Sequence, residues 1–224
     1  MTAPGTPGAP ASTVAQLLAR ARASDPGRPR LTWYGAGGER VELSARVLEN
    51  WVAKTANLLV EELDAVPGTA VHLGLPAHWR SGVWSLALLA VGAVPGALET
   101  AEVVVTDRPD AVHAPPGALL VVVALPALAL TAGPGLPPRA LDANAEVAGY
   151  GDQLPPVAGA PVVAVTRSLA PQERLLLRAE GTDPAGLAAA LLDALAADGS
   201  LVLLGPGAPD ADRVAAQEQV TARA

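Results

Sequence analysis

The sequence predicts an α/β fold in which mainly parallel sheets are flanked by helices. Short apolar runs rich in β-branched residues recur between turn residues, and runs that are apolar throughout are typical of strands buried on both faces of a sheet. Segments with helical periodicity lie between some of these runs and supply the covering layers. Hydrophobic residues make up 50% and charged residues 17% of the 224 residues, so the chain has enough apolar surface to fold.

The first third of the chain predicts a helix, a strand pair and a longer helix. Thr13 and Gln16 have the spacing of an N-terminal capping box, which starts the first helix. Two strand-like segments, 31–34 and 40–43, flank a glycine-rich connection and predict a hairpin. Ser44 is placed to cap the second helix. The apolar stripe of that helix consists of Val47, Leu48, Trp51, Val52, Thr55, Leu58 and Leu59.

The middle of the chain predicts one strand, one buried helix and two further strands. The segment 70–75 lies between a Pro-Gly turn and Pro76, which is typical of a short strand. The segment 79–93 is apolar almost all round, so we expect a helix packed between layers. The apolar runs 103–105 and 119–125 then predict two more strands.

The last third predicts further strands and an α-then-β unit. Strands are expected at 162–165, 175–177 and 201–204. Asp183 followed by Pro184 has the pattern of an N-cap and a first helical residue. The helix that begins there ends shortly before the last of these strands, which gives one α-then-β unit.

Composition shifts divide the chain into four segments. Residues 126–160 carry scattered Pro and Gly with little periodicity, which is typical of a linker or an irregular surface crossing. They separate an N-terminal α/β lobe at 12–125 from a C-terminal α/β lobe at 161–224. Residues 1–11 lack the basic region and the apolar stretch of a secretory signal, and we interpret them as a disordered tail.

Composition also excludes several classes of function. The formal charge is −7, and no basic run is interleaved with aromatic residues, so nucleic-acid binding is not expected. Cysteine is absent, which removes disulfides, thiolate chemistry and Cys-ligated metals. The longest apolar stretch is shorter than the roughly 20 residues needed to cross a bilayer, so no membrane association is expected. These observations favour a cytoplasmic protein without a cofactor.

Motifs for catalysis, metal binding and nucleotide binding are weak. The only histidines are His72, His78 and His113, and no acidic residue has helical spacing with them, so we assign no catalytic residue and no metal ligand. Lys54 has no glycines before it and lies within a helix, unlike the lysine of a Walker loop. A glycine-rich turn follows the last strand, but Asp210 occupies its third glycine position, which favours a turn and a helix cap over a dinucleotide site.

Six segments carry a family resemblance. They are 40–44, 54–59, 67–76, 86–95, 103–107 and 183–204. In order and in their end residues they resemble the N-terminal domain of the adenylate-forming (AMP-binding, acyl-CoA synthetase-like) enzymes. The resemblance implies the parallel sheets and covering helices of that domain. The chain looks like a truncated, N-terminal-domain-only relative of a small actinobacterial type.

The resemblance also implies where a phosphate loop should lie. In the family, a hydroxyl- and glycine-rich loop ending in Pro-Lys-Gly follows a strand such as 162–165. Here Thr166, Arg167 and Ser168 stand at that place, without the glycines and the lysine. The later nucleotide-binding motifs and the mobile C-terminal domain with its catalytic lysine are not found either. We therefore name these three residues as candidate ligand-binding residues of a degenerate phosphate loop.

Because the phosphate loop and the lysines of the family are not found, the leading hypothesis is a non-catalytic relative that acts as a binding or interaction module. One alternative is a component of an ATP-dependent acyl-activating enzyme that is completed by a partner chain. Another is a structural protein without a small ligand. An unknown protein partner and a nucleotide or acyl ligand are open at this stage. Whether the chain is an enzyme is also open, and the missing loop and lysines favour a protein that is not.

Overall fold

The computed structural model describes residues 12–159, 161–166 and 168–224. The helices in chain order are α1 (Val14–Ser24), α2 (Ala45–Glu61), α3 (Trp79–Val91), α4 (Ala143–Glu146), α5 (Pro184–Ala196) and α6 (Ala211–Gln217). The strands in chain order are β1 (Ser12–Thr13), β2 (Pro29–Tyr34), β3 (Arg40–Ser44), β4 (Ala70–Gly74), β5 (Val94–Pro95), β6 (Val103–Thr106), β7 (Leu119–Val122), β8 (Leu141–Asp142), β9 (Val162–Val163), β10 (Arg174–Arg178), β11 (Ser200–Leu204) and β12 (Ala222–Arg223).

The strands form two five-stranded sheets and one short pair. The first sheet has the order β5-β4-β6-β7-β8 and is parallel throughout. The second sheet has the order β12-β10-β11-β2-β3 and is parallel except for the β2–β3 hairpin. The short pair joins β1 and β9 in antiparallel orientation. The predicted α/β class with mainly parallel sheets and covering helices is therefore confirmed.

Local sequence sets the starts of three helices. Thr13 and Gln16 form the expected capping box at the start of α1, each side chain accepting from the backbone N–H of the other. Ser44 accepts from a backbone N–H in the first turn of α2. Asp183 caps α5, and Pro184 is its first residue. Each cap satisfies an N–H group that the first turn of a helix otherwise leaves unpaired.

One cluster of buried apolar side chains joins both sheets to the helices. Its members include Val103 and Val121 of the first sheet and Leu31 and Leu201 of the second. α3 packs against α2 and α5 and is buried over eleven of its 13 residues. This burial explains why its sequence is apolar almost all round.

The opposite face of the second sheet is covered by α6. Val202 and Leu204 of β11 pack in a smaller cluster with Val214 of α6, whereas Leu201 and Leu203 belong to the main cluster. Because successive side chains of a strand point to opposite faces, β11 is buried on both sides. Its continuous apolar run predicted this burial.

Two strands differ from the sequence-based expectations. The segment 162–165 is predicted as a strand of a parallel sheet, but β9 is only two residues long and pairs with β1 outside both large sheets. Val162 of this strand is 60% exposed, so the apolar run at 162–165 does not form a strand that is buried on both faces. The segment 119–125 forms a strand only to Val122, because the backbone at Ala124 bonds to the side chain of Asn144 instead of to a neighbouring strand.

The second sheet combines strands from both predicted lobes. β2 and β3 lie in the predicted N-terminal lobe but share a sheet with β10, β11 and β12 from the C-terminal lobe. Residues 126–160 contain β8, which joins the first sheet, and α4. The division into lobes and linker stays a prediction, and the predicted tail at 1–11 lies outside the described residues.

Candidate functional site

Two of the candidate phosphate-loop residues, Thr166 and Ser168, lie between β9 and β10 and bond to an acid of α5. The backbone N–H of Thr166 donates to Oδ1 of Asp193 at 2.8 Å, and its hydroxyl donates to Oδ2. The hydroxyl of Ser168 donates to the same Oδ2 at 2.7 Å. Asp193 is 5% exposed. The structure therefore brings Thr166 and Ser168 together on one carboxylate, while Arg167 lies outside the described residues.

This bonding pattern resembles an anion site that is filled from within the chain. Backbone N–H groups and hydroxyls are the donors that phosphate-binding loops offer to phosphate oxygens. Here the carboxylate of Asp193 accepts from them. A phosphate at the same donors would have to displace these hydrogen bonds and would meet a negative charge nearby. The loop thus has the donor chemistry of a phosphate site and an internal acceptor for it.

Sequence reasoning missed Asp193. The residue lies in a helix whose other buried side chains are Leu and Ala, including Leu191, Leu192 and Leu195. A carboxylate on the buried side of such a helix needs donors from another segment, since an unpaired buried charge is costly. One acid in an otherwise apolar helix was therefore the available signal. The identity of the donors was not visible, because they lie 25 and 27 residues earlier in the chain.

The single lysine is engaged by a different segment. Nζ of Lys54 donates to the backbone carbonyls of Ala148 at 2.9 Å and Tyr150 at 2.5 Å. Asn57, on the same helix, donates to two further carbonyls of the segment that follows. These side chains fasten residues 148–153 to α2. The ammonium group of Lys54 therefore has a structural role, because it binds backbone carbonyls of this segment.

The glycine-rich turn after β11 is also structural. The side chain of Asp210 accepts from the backbone N–H groups of Asp212 and Arg213, so it is the N-cap of α6, as predicted. A Cβ at Gly205 would lie 2.1 Å from the ring of Trp33. This glycine is therefore required by the close approach of the turn to the indole, not by a ligand.

A cluster of aromatic and basic side chains lies where α3 begins, beside an open groove. We call it the tryptophan–arginine cluster, and it consists of Trp33, Trp51, His78, Trp79 and Arg80. The groove has a volume of about 700 Å³ and runs between β3 and the loop at 126–128, with two of the tryptophans in its lining. Its size falls in the range of small-molecule pockets, roughly 300–1,000 Å³.

Arg80 is the buried cation of this cluster. It is 7% exposed, and its guanidinium lies 4.4 Å from the ring centroid of Trp79 and 5.8 Å from that of Trp51. Its Nη2 donates to three backbone carbonyls of residues 126–129 at 3.3–3.5 Å. Within the described part of the chain, no carboxylate oxygen lies within 4.0 Å of it. Burial lowers the pKa of Arg80 to about 10, against the opposing effect of Glu39.

His78 is the N-cap of α3. Its Nδ1 accepts the backbone N–H of Arg80 at 3.2 Å, and its ring lies edge-on to Trp33 with 4.5 Å between centroids. Burial lowers the pKa of His78 to about 4, with a further decrease from Arg80 and an opposing effect of Glu39. The ring is therefore neutral at pH 7 and caps a helix.

The loop beside the groove is fastened by two side chains. Oε1 of Glu39 accepts from the backbone N–H of Ala127 at 2.8 Å. Asn144 donates to backbone carbonyls at both ends of the loop. Leu128 and Leu130 remain 91% and 81% exposed. The loop backbone is thus bonded to the core while its leucines face outward.

In residues 12–159, 161–166 and 168–224, no group of three or more His, Cys, Asp or Glu side chains could hold a metal ion. None of the helices in this described part of the chain combines the length and apolar character needed to span a bilayer.

Solved structures with the same fold are adenylate-forming enzymes. Brucella canis acyl-CoA synthetase matches with a TM-score of 0.67 and 18% identity over 98% of this chain and 48% of its own. The N-terminal subdomain of Klebsiella oxytoca NpsA, in complex with 3-hydroxybenzoyl-AMSN, matches with a TM-score of 0.62 and 14% identity over 95% and 59%. Mycobacterium tuberculosis fatty acyl CoA synthetase matches with a TM-score of 0.63 and 15% identity over 94% and 48%.

These matches confirm the expected fold. The structure is that of the N-terminal domain of adenylate-forming enzymes, and the identities are too low to carry activity or ligand from one protein to the other. The chain spans about half to three-fifths of the length of the solved structures. No protein-family model matches the sequence.

One curated relative is similar over most of its length. A Mycobacterium tuberculosis (strain ATCC 25618 / H37Rv) protein described as a TIGR03089 family protein is 36% identical over 224 aligned positions. The alignment covers 88% of this chain and 92% of the relative. With this identity and coverage, the chain belongs to the TIGR03089 family.

Proposed function

We propose that this protein is a non-catalytic relative of the adenylate-forming enzymes that acts as a binding or interaction module. The observation that carries the proposal is the carboxylate of Asp193, which accepts the backbone N–H of Thr166 and the hydroxyls of Thr166 and Ser168. The position of Lys54 supports it, since the ammonium group of this single lysine bonds to backbone carbonyls of another segment.

The physical argument concerns charge at the loop. Phosphoryl and adenylyl chemistry is accelerated by donors and cations placed where negative charge develops on the phosphate. A loop whose donors bind a carboxylate can stabilise a phosphate only after its hydrogen bonds to the carboxylate break. Hydrogen bonds to charged groups contribute about 1.5–3 kcal/mol each, so breaking them is costly. The arrangement favours a loop that holds the fold together over one that activates ATP.

A component of an ATP-dependent acyl-activating enzyme, completed by a partner chain, is the second candidate. The observation in its favour is that the solved enzymes are about twice as long as the matched region. Residues contributed by another chain would then supply the missing lysines. A complex that catalyses ATP–pyrophosphate exchange when neither chain does so alone would support this candidate.

The test uses the full chain with four probes and one reaction. ATP–pyrophosphate exchange is measured together with thermal unfolding in ATP, AMP, acyl-CoA and 3-hydroxybenzoyl-AMSN, the ligand named with the NpsA subdomain. We expect no exchange above background, and exchange by the isolated chain would contradict the proposal. Stabilisation by a probe without exchange would support small-molecule binding, because a ligand that binds the folded state raises the unfolding temperature.

The role of Asp193 gives a specific prediction. Asp193→Asn removes the negative charge and keeps the size of the side chain. We expect this variant to lose about 2 kcal/mol in free energy of unfolding and to show a larger ATP-dependent shift in unfolding temperature than the wild type. Urea unfolding and thermal-shift titration measure the two effects.

A matched control lies on the same helix. Asp183→Asn changes the N-cap of α5, and Asn is also a good cap, so its stability should change by less than about 0.5 kcal/mol. Its response to ATP should equal that of the wild type. If Asp193→Asn and Asp183→Asn respond alike to ATP, the carboxylate of Asp193 does not stand in for a phosphate.

A further inference from the structure

We propose that a small cavity in the tryptophan–arginine cluster binds one monovalent anion of halide size, such as chloride. The cavity is separate from the loop that carries the proposed function and shares no residue with it. It has a volume of about 20 Å³ and lies between the start of α3, α2 and α4. A space of at least roughly 10–15 Å³ holds one water-sized occupant, so there is room for one small ion.

Two donors in the lining lack partners. Within the described residues, Nε1 of Trp79 and Nε of Arg80 are buried and make no hydrogen bond. Both residues line the cavity, and they are 3% and 7% exposed. Buried donors are nearly always paired with protein, water or an ion, so these two donors point to an acceptor from outside the chain. The two donors belong to neighbouring residues, both of which line the cavity.

The charge in the lining is positive. The guanidinium of Arg80 has no carboxylate within 4.0 Å in the described part of the chain, and none lines the cavity. Glu39 lies near enough to affect the pKa of Arg80, but its oxygens accept from Trp33 Nε1 and from the backbone N–H of Ala127. A buried charge without a close partner is costly, and an anion beside Arg80 would lower that cost.

The polar chemistry of the lining favours an anion over a water molecule. The indole N–H and the guanidinium N–H can only donate, and an anion accepts from both without bringing hydrogens that need acceptors of their own. Thr55 also lines the cavity, and a threonine hydroxyl can donate to an anion. Sulfate, phosphate and carboxylates exceed the volume of one water-sized occupant. The combination of two free donors, a cation and little space fits a halide.

The first experiment compares salts on the intact protein. Thermal unfolding is followed in sodium chloride, sodium bromide and sodium gluconate at equal ionic strength, because gluconate is too large for the cavity. We expect the unfolding temperature to rise and saturate in chloride and bromide relative to gluconate. Equal unfolding temperatures in the three salts would overturn the proposal and would fit a water-filled cavity.

Variants assign the effect to the cavity. Trp79→Phe removes the indole N–H and keeps a ring under Arg80, and we expect its halide affinity to fall about tenfold. Arg108→Gln is the control, because the Arg108 side chain is 74% exposed and lies outside the lining. It should respond to halide like the wild type. An unchanged halide response in Trp79→Phe would contradict the assignment.

A second measurement does not depend on a variant that folds. Crystals of the wild-type protein soaked in sodium bromide are measured at the bromine absorption edge. We expect an anomalous peak within hydrogen-bond distance of Trp79 Nε1 and Arg80 Nε. Bromide peaks at the protein surface alone would mean adventitious ions only and would overturn the proposal.

Discussion

His78 shows how burial sets the charge of a single side chain. The ring caps α3, contacts Trp33 and is 4% exposed. Its pKa of about 4 lies below the ordinary histidine value of 6.5, so the unfolded chain takes up a proton at a higher pH than the folded chain. The stability that the neutral ring contributes is therefore present above pH 6.5 and is lost as the pH falls toward 4.

Replacing this histidine tests that pH dependence. His78→Asn keeps a good helix cap without a titratable group. From the pKa shift, we expect protonation of His78 to lower the unfolding free energy of the wild type by about 2 kcal/mol between pH 7 and pH 5. The variant should not show this part of the decrease. Urea unfolding at the two pH values measures it. Equal decreases in the variant and the wild type would contradict the assignment.

Residue identities in the candidate site were only partly predictable. Thr166 and Ser168 were named because the family resemblance places a phosphate loop after a strand at that point, and in the structure both bond to Asp193. Their role as ligand-binding residues stays a prediction. The acceptor was not predicted, because a sequence does not show which distant donors meet a buried acid. Arg80 was missed for the same reason, since its burial follows from the packing of α3 against its neighbours.

Helix starts and strand identities were the most predictable elements. The caps at Thr13, Ser44 and Asp183 act through hydrogen bonds within three residues, so the sequence contains all that they need. The hairpin at β2 and β3 is equally local. The order of strands in a sheet is not a local property, because it depends on which strands pair across long distances in the sequence. For that reason the composition of residues 126–160 did not indicate that they contain β8 and α4.

The turn between α5 and β11 gives a prediction at the level of elements. A Cβ at Gly199 would lie 2.3 Å from the backbone carbonyl oxygen of Glu173, just before β10. Backbone cannot rotate away as a side chain can, so Gly199→Ala should lower the unfolding free energy by about 1–3 kcal/mol. Denaturant unfolding measures the loss.

Gly149→Ala is the matched control for this substitution. Nothing lies within 4 Å of a Cβ at Gly149, and its φ is not in the left-handed region. Its stability should be unchanged within about 0.5 kcal/mol. Equal stabilities of the two alanine variants would show that the approach of Gly199 to Glu173 is looser than described.

At the scale of the whole molecule, Arg30 connects parts of the fold that are far apart in sequence. Its side chain is fully buried, and its guanidinium donates to backbone carbonyls of Ala21, Asp198 and Gly199 at 2.8–3.0 Å. It also pairs with the carboxylate of Asp198 at 2.6 Å. One side chain of β2 thus holds the end of α1 and the turn before β11 together.

Loss of this arginine should affect stability globally. Arg30→Met keeps much of the apolar stem but leaves buried carbonyls unpaired, so we expect a loss of about 3 kcal/mol in unfolding free energy. Hydrogen exchange should show faster opening in both α1 and β11. The control Arg22→Met breaks an exposed ion pair with Glu49 and should cost less than about 1 kcal/mol. Faster exchange confined to β2 would contradict the connecting role.

The order of the second sheet has a consequence for synthesis on the ribosome. β2 and β3 are translated before β11, but β2 pairs with β11, where Leu31 lies beside Leu201. All strands of the first sheet are complete once residue 142 has left the exit tunnel. The β2–β3 hairpin must therefore wait with an open strand edge until Ser200–Leu204 has also been translated. A nascent chain that stalls before β11 exposes that edge, which makes it prone to aggregation and a substrate for chaperones.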